Sequence, residues 1–421
     1  VIKRRHFLGL LTGEIAALSL RAATTTYQAG IGSSSDPYTA TQRAIAASGQ
    51  FPAAAIAGST VVIKPNLVEG RPASTGATTD PQVVRAVVDQ ALAAGAFSII
   101  VAEGGVGASP VPFSACGYDF LSTYNPRVQL MDLSGQPYSS VPVPSGLALK
   151  SLYLPNLILE PNVVLISVAK LKTHSDAGIT ASMKNLFSLP VPVEYSIPGK
   201  VLKRQDLHYR GIDQCIVDVN VVAGADFAVI DGIVGMEGDG PLFGTPVTMN
   251  LVIAGLNQVA VDLVALKVMK IEQSTVPHLT YAALRGLGPL DMSKVAILGD
   301  SYTPVAFTSA KPPPVIWRPS VFPASFSPAS KQTAFISYSV PAACLTSAAI
   351  IQDNDKRPGI TVVKTLQGWT QTSAGVKTLN WAGDTDAGGT AAPGLYLAQV
   401  MSTRKTGATI NYATSWVTVT S

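Results

Sequence analysis

NVVLISVAKLKTHSDAGITASMKNLFSLP, residues 162–190, decides how this chain reads. Residues 163–168 are a short apolar run rich in β-branched side chains, bounded by Pro161-Asn162 and then by charge. Such a run predicts a buried strand. Lys170, Lys172 and His174 follow, and Ser175-Asp176 offers a helix cap. Ile179, Met183, Leu186 and Phe187 share one helical face, with Lys184 and Asn185 on the same helix. A strand end, a basic loop and a helix start make a ligand-binding place in an open α/β sheet. The free N–H groups and positive dipole end of the helix would favour an anion there.

Working outward, the same grammar repeats. Residues 61–63 and 97–102 read as strands around a helix that starts at Asp80-Pro81, buries Val84, Val87, Val88 and Leu92, and ends at Gly95. This β-α-β order implies parallel strands with a right-handed crossover. Residues 207–222, 259–269 and 276–287 read as helices; residues 227–230, 249–254 and 295–298 read as strands. The strand at 227–230 is expected to end in Asp231. Residues 109–154 are rich in Pro, Gly and Ser and read as short strands or an insertion over the sheet. The expected fold is α/β, a mainly parallel sheet with helices on both faces, over residues 24–310. A Pro-rich linker at 311–330 leads to short strands at 331–421, an all-β unit.

The central segments resemble the domain of unknown function 362 family. The resemblance rests on KLKTH and MKNLF in the opening stretch, KPNL at 64–67, TDP at 79–81, DGIVGMEGDGPLFGTP at 231–246 and VAVD at 259–262. It covers roughly residues 61–300 with the motifs in the family's order, and it implies no assigned activity. Residues 380–396, NWAGDTDAGGTAAPGLY, resemble the Ig-like domain of flagellar hook-capping proteins through Trp381, Gly383-Asp384, Gly388-Gly389, Pro393-Gly394 and Tyr396. A Gly- and Asp-rich turn joining two strands of a small sandwich, with Trp and Tyr in its core, agrees with that.

The start, residues 1–23, resembles a twin-arginine export signal: Arg4-Arg5 precede a mildly hydrophobic segment, which Glu14 interrupts. The competing reading is an amphipathic first helix. The first 22 residues hold four of the 30 basic and one of the 26 acidic residues, and removing them lowers the formal charge from +4 to +1. The charge therefore does not argue for nucleic acid. Hydrophobic residues at 47% and charged residues at 13% provide for a sizeable core. Beyond the signal, no stretch has the roughly 20 uninterrupted apolar residues of a transmembrane helix. The three cysteines, Cys116, Cys215 and Cys344, are far apart and exclude a cysteine-ligated iron–sulfur cluster within the chain; a Cys116–Cys215 disulfide is left open.

The candidate chemistry sits at strand ends. Lys64 and Asn66 flank Pro65 after one strand, Glu103 follows the next, and Asp231 a later one. His174, Lys172 and Lys184 are the candidate catalytic residues, His174 because its free pKa lies near neutrality. Lys64, Asn66, Glu103 and Asn185 are the candidate ligand-binding residues. Asp231, Glu237 and Asp239 offer oxygen ligands for a divalent metal on a glycine-rich loop. The competing reading pairs Lys64 and Lys172 with Glu103 and Asp231 in a structural ion network. No G-x-S-x-G, Walker lysine loop or G-x-G-x-x-G is present. The expectation is an exported protein, periplasmic or extracellular, that binds a small anionic ligand. The alternative is a non-catalytic cell-envelope protein that meets a protein partner through its C-terminal module.

Overall fold

The computed structural model describes residues 26–105, 110–197, 204–310, 314–352, 361–405 and 409–421. Residues 1–23, which resemble an export signal, lie outside the described residues.

Among the described residues, eleven strands belong to the N-terminal α/β region: β1 (Tyr27–Ser33), β2 (Thr60–Lys64), β3 (Ser98–Glu103), β4 (Val128–Asp132), β5 (Tyr138–Pro142), β6 (Ser151–Pro155), β7 (Val163–His174), β8 (Gly178–Thr180), β9 (Phe227–Glu237), β10 (Thr245–Gly255) and β11 (Val295–Gly299). Nine of them form one sheet in the order β11-β1-β10-β9-β7-β2-β3-β4, with β8 folded back on β7; β5 and β6 make a separate hairpin. β9, β7, β2, β3 and β4 run parallel. β10 is antiparallel to both β9 and β1.

Alternation along β7 divides the core. Val164, Ile166 and Val168 pack with Val61, Ile63 and the helix Pro81–Ala93 on one face. Leu165, Ala169 and Leu171 pack with helices Ile212–Ala223 and Gln258–Met269 on the other. Helix Pro81–Ala93 starts as its sequence implies, with Pro81 in the first turn and the Asp80 carboxylate accepting the Gln82 N–H.

Three expected elements differ. β7 continues to His174, because β8 and β9 take up its backbone beyond residue 168: Lys172 registers with Thr180, His174 with Gly178, and Lys170 with Asp231. The expected basic loop is thus a hairpin, and Ser175-Asp176 form its turn rather than a helix cap. The next helix is only Ser182–Asn185, and its N-terminus is already occupied: Asp262 accepts from the Ser182 and Met183 N–H groups and the Ser182 hydroxyl. Helix 207–222 is two pieces, Gln205–Tyr209 and Ile212–Ala223, broken at Gly211, whose φ of 100° other residues resist.

The C-terminal region is all-β. β12 (Ser320–Phe322), β14 (Ala334–Val340) and β17 (Gly375–Trp381) form one sheet. β13 (Ser325–Phe326), β15 (Cys344–Gln352), β16 (Thr361–Thr372), β18 (Gly394–Thr403) and β19 (Asn411–Val419) form another. β12 and β13 arise from residues read in the sequence as linker. Trp381 is buried between Phe326 and Tyr396, with ring centroids at 5.3 and 5.5 Å. This region rests on the α/β region: the Thr414 hydroxyl donates to the Arg210 carbonyl, the Trp416 indole to Gly146, and Tyr209 packs on Tyr412 at 5.2 Å.

Candidate functional site

At the C-terminal ends of β2 and β3, Lys64 and Glu103 are each the last residue of their strand. Both are buried, and they pair at 2.9 Å. Glu103 also accepts from the Leu67 N–H at 3.0 Å, the Gly104 N–H at 2.7 Å and the Ser188 hydroxyl at 2.6 Å. Burial pushes its carboxyl up, but Lys64 and these donors outweigh that and hold it below the usual range. Lys64 donates further to the Pro65 carbonyl and to Asn185 Oδ1. The Asn185 amide nitrogen donates to the Lys64 carbonyl and the Ser167 hydroxyl. Asn66 donates to Asn185 Oδ1 at 3.1 Å, while its own buried Oδ1 has no partner among the described residues. The Thr79 hydroxyl ties this loop down, accepting from the Asn66 N–H and donating to the Val168 carbonyl. Gly104 permits the close approach of Ser188: a Cβ there would lie 2.0 Å from the Ser188 carbonyl oxygen. The four residues read as ligand-binding therefore form one hydrogen-bonded cluster.

Asp231 is placed differently. It lies inside β9, not at its end, and pairs with the buried Lys170 at 2.8 Å. It also accepts from the Asp80 and Ile233 N–H groups. Glu237 is six residues along the same strand, roughly 20 Å away at a strand's rise. It accepts from the Thr308 N–H, and Asp239 is exposed in the turn. The three carboxylates expected to hold a metal are not brought together, and no group of three or more His, Cys, Asp or Glu suited to a metal occurs among the described residues. The Asp231 oxygens are committed to Lys170 and to the entry of helix Pro81–Ala93.

Lys172 is fully buried and donates to the Ala77 and Pro241 carbonyls, with no carboxylate at ion-pair distance among the described residues. Burial, then the charges of Lys184 and Lys170, depress its ammonium well below the ordinary lysine value. His174 is buried, and its Nδ1 accepts from the Asp176 and Ala177 N–H groups. That places the proton on Nε2 and makes the ring a donor. Burial and the nearby Lys184 keep it neutral. Lys184 is half-buried, its Nζ 4.5 Å from the centre of the Phe187 ring. Burial lowers its ammonium to about 8; Asp176 opposes this, while Lys64 and Arg204 add to it. These mutual influences put His174, Lys172, Lys184, Lys64 and Glu103 in one neighbourhood.

Three members escape sequence reasoning. Arg204 spans the site, donating to the carbonyls of Pro190, Gly104 and Gly105. Asp176 Oδ2 lies 3.0 Å from His208 Nδ1. Burial pushes the Asp176 carboxyl up, but His208, His174 and Lys184 outweigh it and hold it well below the usual carboxylate range. In the sequence His208 shares a helical face with Ile212 and Cys215, a spacing that says nothing of a partner in the β7–β8 turn. Cys116 and Cys215 are both free thiols.

Residues 61–267 match the family model described as "Domain of unknown function (DUF362)". The chain is 28% identical over 237 residues to the thylakoid-associated protein sll1697 of Synechocystis sp., covering 55% of this chain and 70% of that protein. Among solved structures it aligns at a TM-score of 0.18 and 12% identity with an alkylpurine DNA glycosylase of Pseudomonas fluorescens bound to DNA, over 39% of this chain. It aligns at 0.18 and 11% with a β-glucosidase of Erythrobacter marinus, over 87%. The chain spans less than half the length of each, 46% and 47%.

Proposed function

We propose that the α/β region binds a small anion, a carboxylate or an oxyanion, at Lys184. The observation that carries this is positive charge with no carboxylate at ion-pair distance, Asp176 attracting Lys184 only from farther away. Lys64 has Glu103 and Lys170 has Asp231, but Lys172 and Lys184 have no carboxylate at ion-pair distance among the described residues. Lys184 is the one of these two with access to solvent. A half-buried ammonium against an aromatic ring, beside a second unpaired lysine, is repelled and desolvated until an anion arrives. The His174 Nε2–H supplies a neutral donor to the same neighbourhood. Export of the protein, on Arg4-Arg5, and an Ig-like identity for the C-terminal sheets, on the Trp381 and Tyr396 anchors, complete the reading.

Calorimetric titration with sulfate at low ionic strength tests it. A charge-assisted hydrogen bond is worth about 1.5–3 kcal/mol, so Lys184→Met should weaken sulfate by about 10- to 100-fold. Equal binding by both proteins, or none by either, would remove the anion site and leave the envelope-protein alternative, with the C-terminal sheets as the working part.

A further inference from the structure

We propose that Asp262 is a positioning residue for the anion site: through the short helix Ser182–Asn185 it sets where the Lys184 ammonium stands. This rests on the anion site proposed at Lys184.

A helix of four residues does not hold itself. It forms too few internal hydrogen bonds to offset the cost of nucleation, so its place is fixed from outside. Here the backbone just before Lys184 is gripped by side chains from two longer helices. Asp262, on helix Gln258–Met269, accepts the Ser182 N–H at 2.7 Å and the Ser182 hydroxyl at 2.7 Å through one oxygen. Its other oxygen accepts the Met183 N–H at 3.0 Å. Gln258, one turn earlier, donates to the Ser182 carbonyl at 3.2 Å. Asn220, on helix Ile212–Ala223, donates to the Met183 carbonyl at 3.0 Å. The backbone N–H and C=O groups of Ser182 and Met183 thus all have side-chain partners, and both N–H groups go to Asp262.

Asp262 differs from Glu103 and Asp231, which pair with lysines. It is wholly buried and meets three neutral donors, with no Lys or Arg at ion-pair distance among the described residues. Burial raises its carboxyl to about 6, against the pull of the Ser182 and Met183 donors and of His278. At neutral pH it is therefore ionised and accepts at both oxygens, as three donors require. An asparagine would keep one acceptor oxygen and turn an N–H₂ toward the Met183 N–H or the Ser182 donors.

Lys184 follows Met183 directly. It stands half-buried, with Nζ 4.5 Å from the centre of the Phe187 ring. The charges acting on it are Asp176 in the hairpin turn, Lys64 and Glu103 at strand ends, and Arg204. It acts in turn on Lys172 and His174 of β7. Burial at this spot is the main cause that brings its ammonium down to about 8. The titration of Lys184 therefore reports its position: swung out toward water, the amine returns toward the ordinary 10.5.

Competitive acetylation of the full chain with acetic anhydride, read at Lys184 by mass spectrometry across pH, measures that titration without any ligand. The unmutated chain should show a midpoint at about 8. Asp262→Asn should move it upward by about one pH unit or more, whereas loss of a negative charge alone would move it down. A midpoint unchanged or lowered overturns the proposal. Lys64, fully buried, is the internal control and stays unlabelled while the chain is folded. If Lys64 becomes labelled in Asp262→Asn, Ser182→Ala replaces it. That variant removes the hydroxyl donor and leaves both N–H groups, with the same direction expected and the same result overturning the proposal. Sulfate titration stands apart. Asp262→Asn should weaken sulfate by roughly three- to tenfold, no more than Lys184→Met does. Equal sulfate binding in Asp262→Asn overturns the positioning role. No binding by the unmutated chain sinks the anion site, and the acetylation midpoint still decides whether Asp262 places Lys184.

Discussion

Replacing Glu103 by Gln tests whether the Lys64–Glu103 pair is a structural clamp beneath the site. In the folded chain the carboxylate accepts from one ammonium, two backbone N–H groups and one hydroxyl, and is 2% exposed. Glutamine keeps one acceptor oxygen and turns an amide N–H₂ toward either the Leu67 N–H or the cluster at Oε1. Lys64, fully buried, is left without a counter-charge. Removing one partner of a buried pair costs about 3–5 kcal/mol, a large part of the roughly 5–15 kcal/mol that keeps a domain folded. The loss should appear as a lower urea midpoint in circular dichroism of the full chain at neutral pH. Lys64→Met with Glu103→Gln should cost clearly less than the sum of the single changes, because the double variant buries no unpaired charge. The pH dependence has a definite sign. The folded carboxyl is held below its unfolded value near 4.5, so its stabilisation is present above that value and is lost as pH falls through the folded pKa. A loss below about 1 kcal/mol for Glu103→Gln, well short of the buried-pair range, or strict additivity in the cycle, would refute the clamp.

Two further outcomes are expected. With the Lys184 ammonium at about 8, sulfate affinity should hold below that pH and fall above it by up to about tenfold per pH unit as the amine loses its proton; calorimetry between pH 6.5 and 9.5 checks this, and a flat profile contradicts it. Changing Arg4 and Arg5 together to Lys should retain the chain in the cytoplasm, read by cell fractionation; normal export of that variant would remove the twin-arginine reading.

Much of the fold was legible because burial leaves a local imprint. The apolar runs at 61–63, 97–102, 163–168 and 227–230 lie within β2, β7 and β9 and overlap β3, and Asp80-Pro81 marks its helix start through chemistry confined to a few residues. The same locality shows that Lys64 and Glu103 fall at strand ends, where a parallel sheet gathers its ligands. The course of the chain beyond residue 168 was hidden. Lys170, Lys172 and His174 look like a loop because they are charged, yet they are strand residues whose backbone pairs with β8 and β9 and whose side chains find partners elsewhere.

The amino-acid sequence by itself therefore determined many of the elements and the parallel sense of the central strands, since periodicity depends on neighbours in the chain. Only the tertiary structure decided who meets whom. Asp231 goes to Lys170 across 61 positions, Glu103 to Leu67 across 36, and Asp262 to Ser182 across 80. His208 reaches Asp176 the same way, in a cavity that needs residues 409–412 for its far wall. A charge buried in a low-dielectric interior takes whichever partner the topology brings within about 3 Å, and no spacing along the chain encodes that choice.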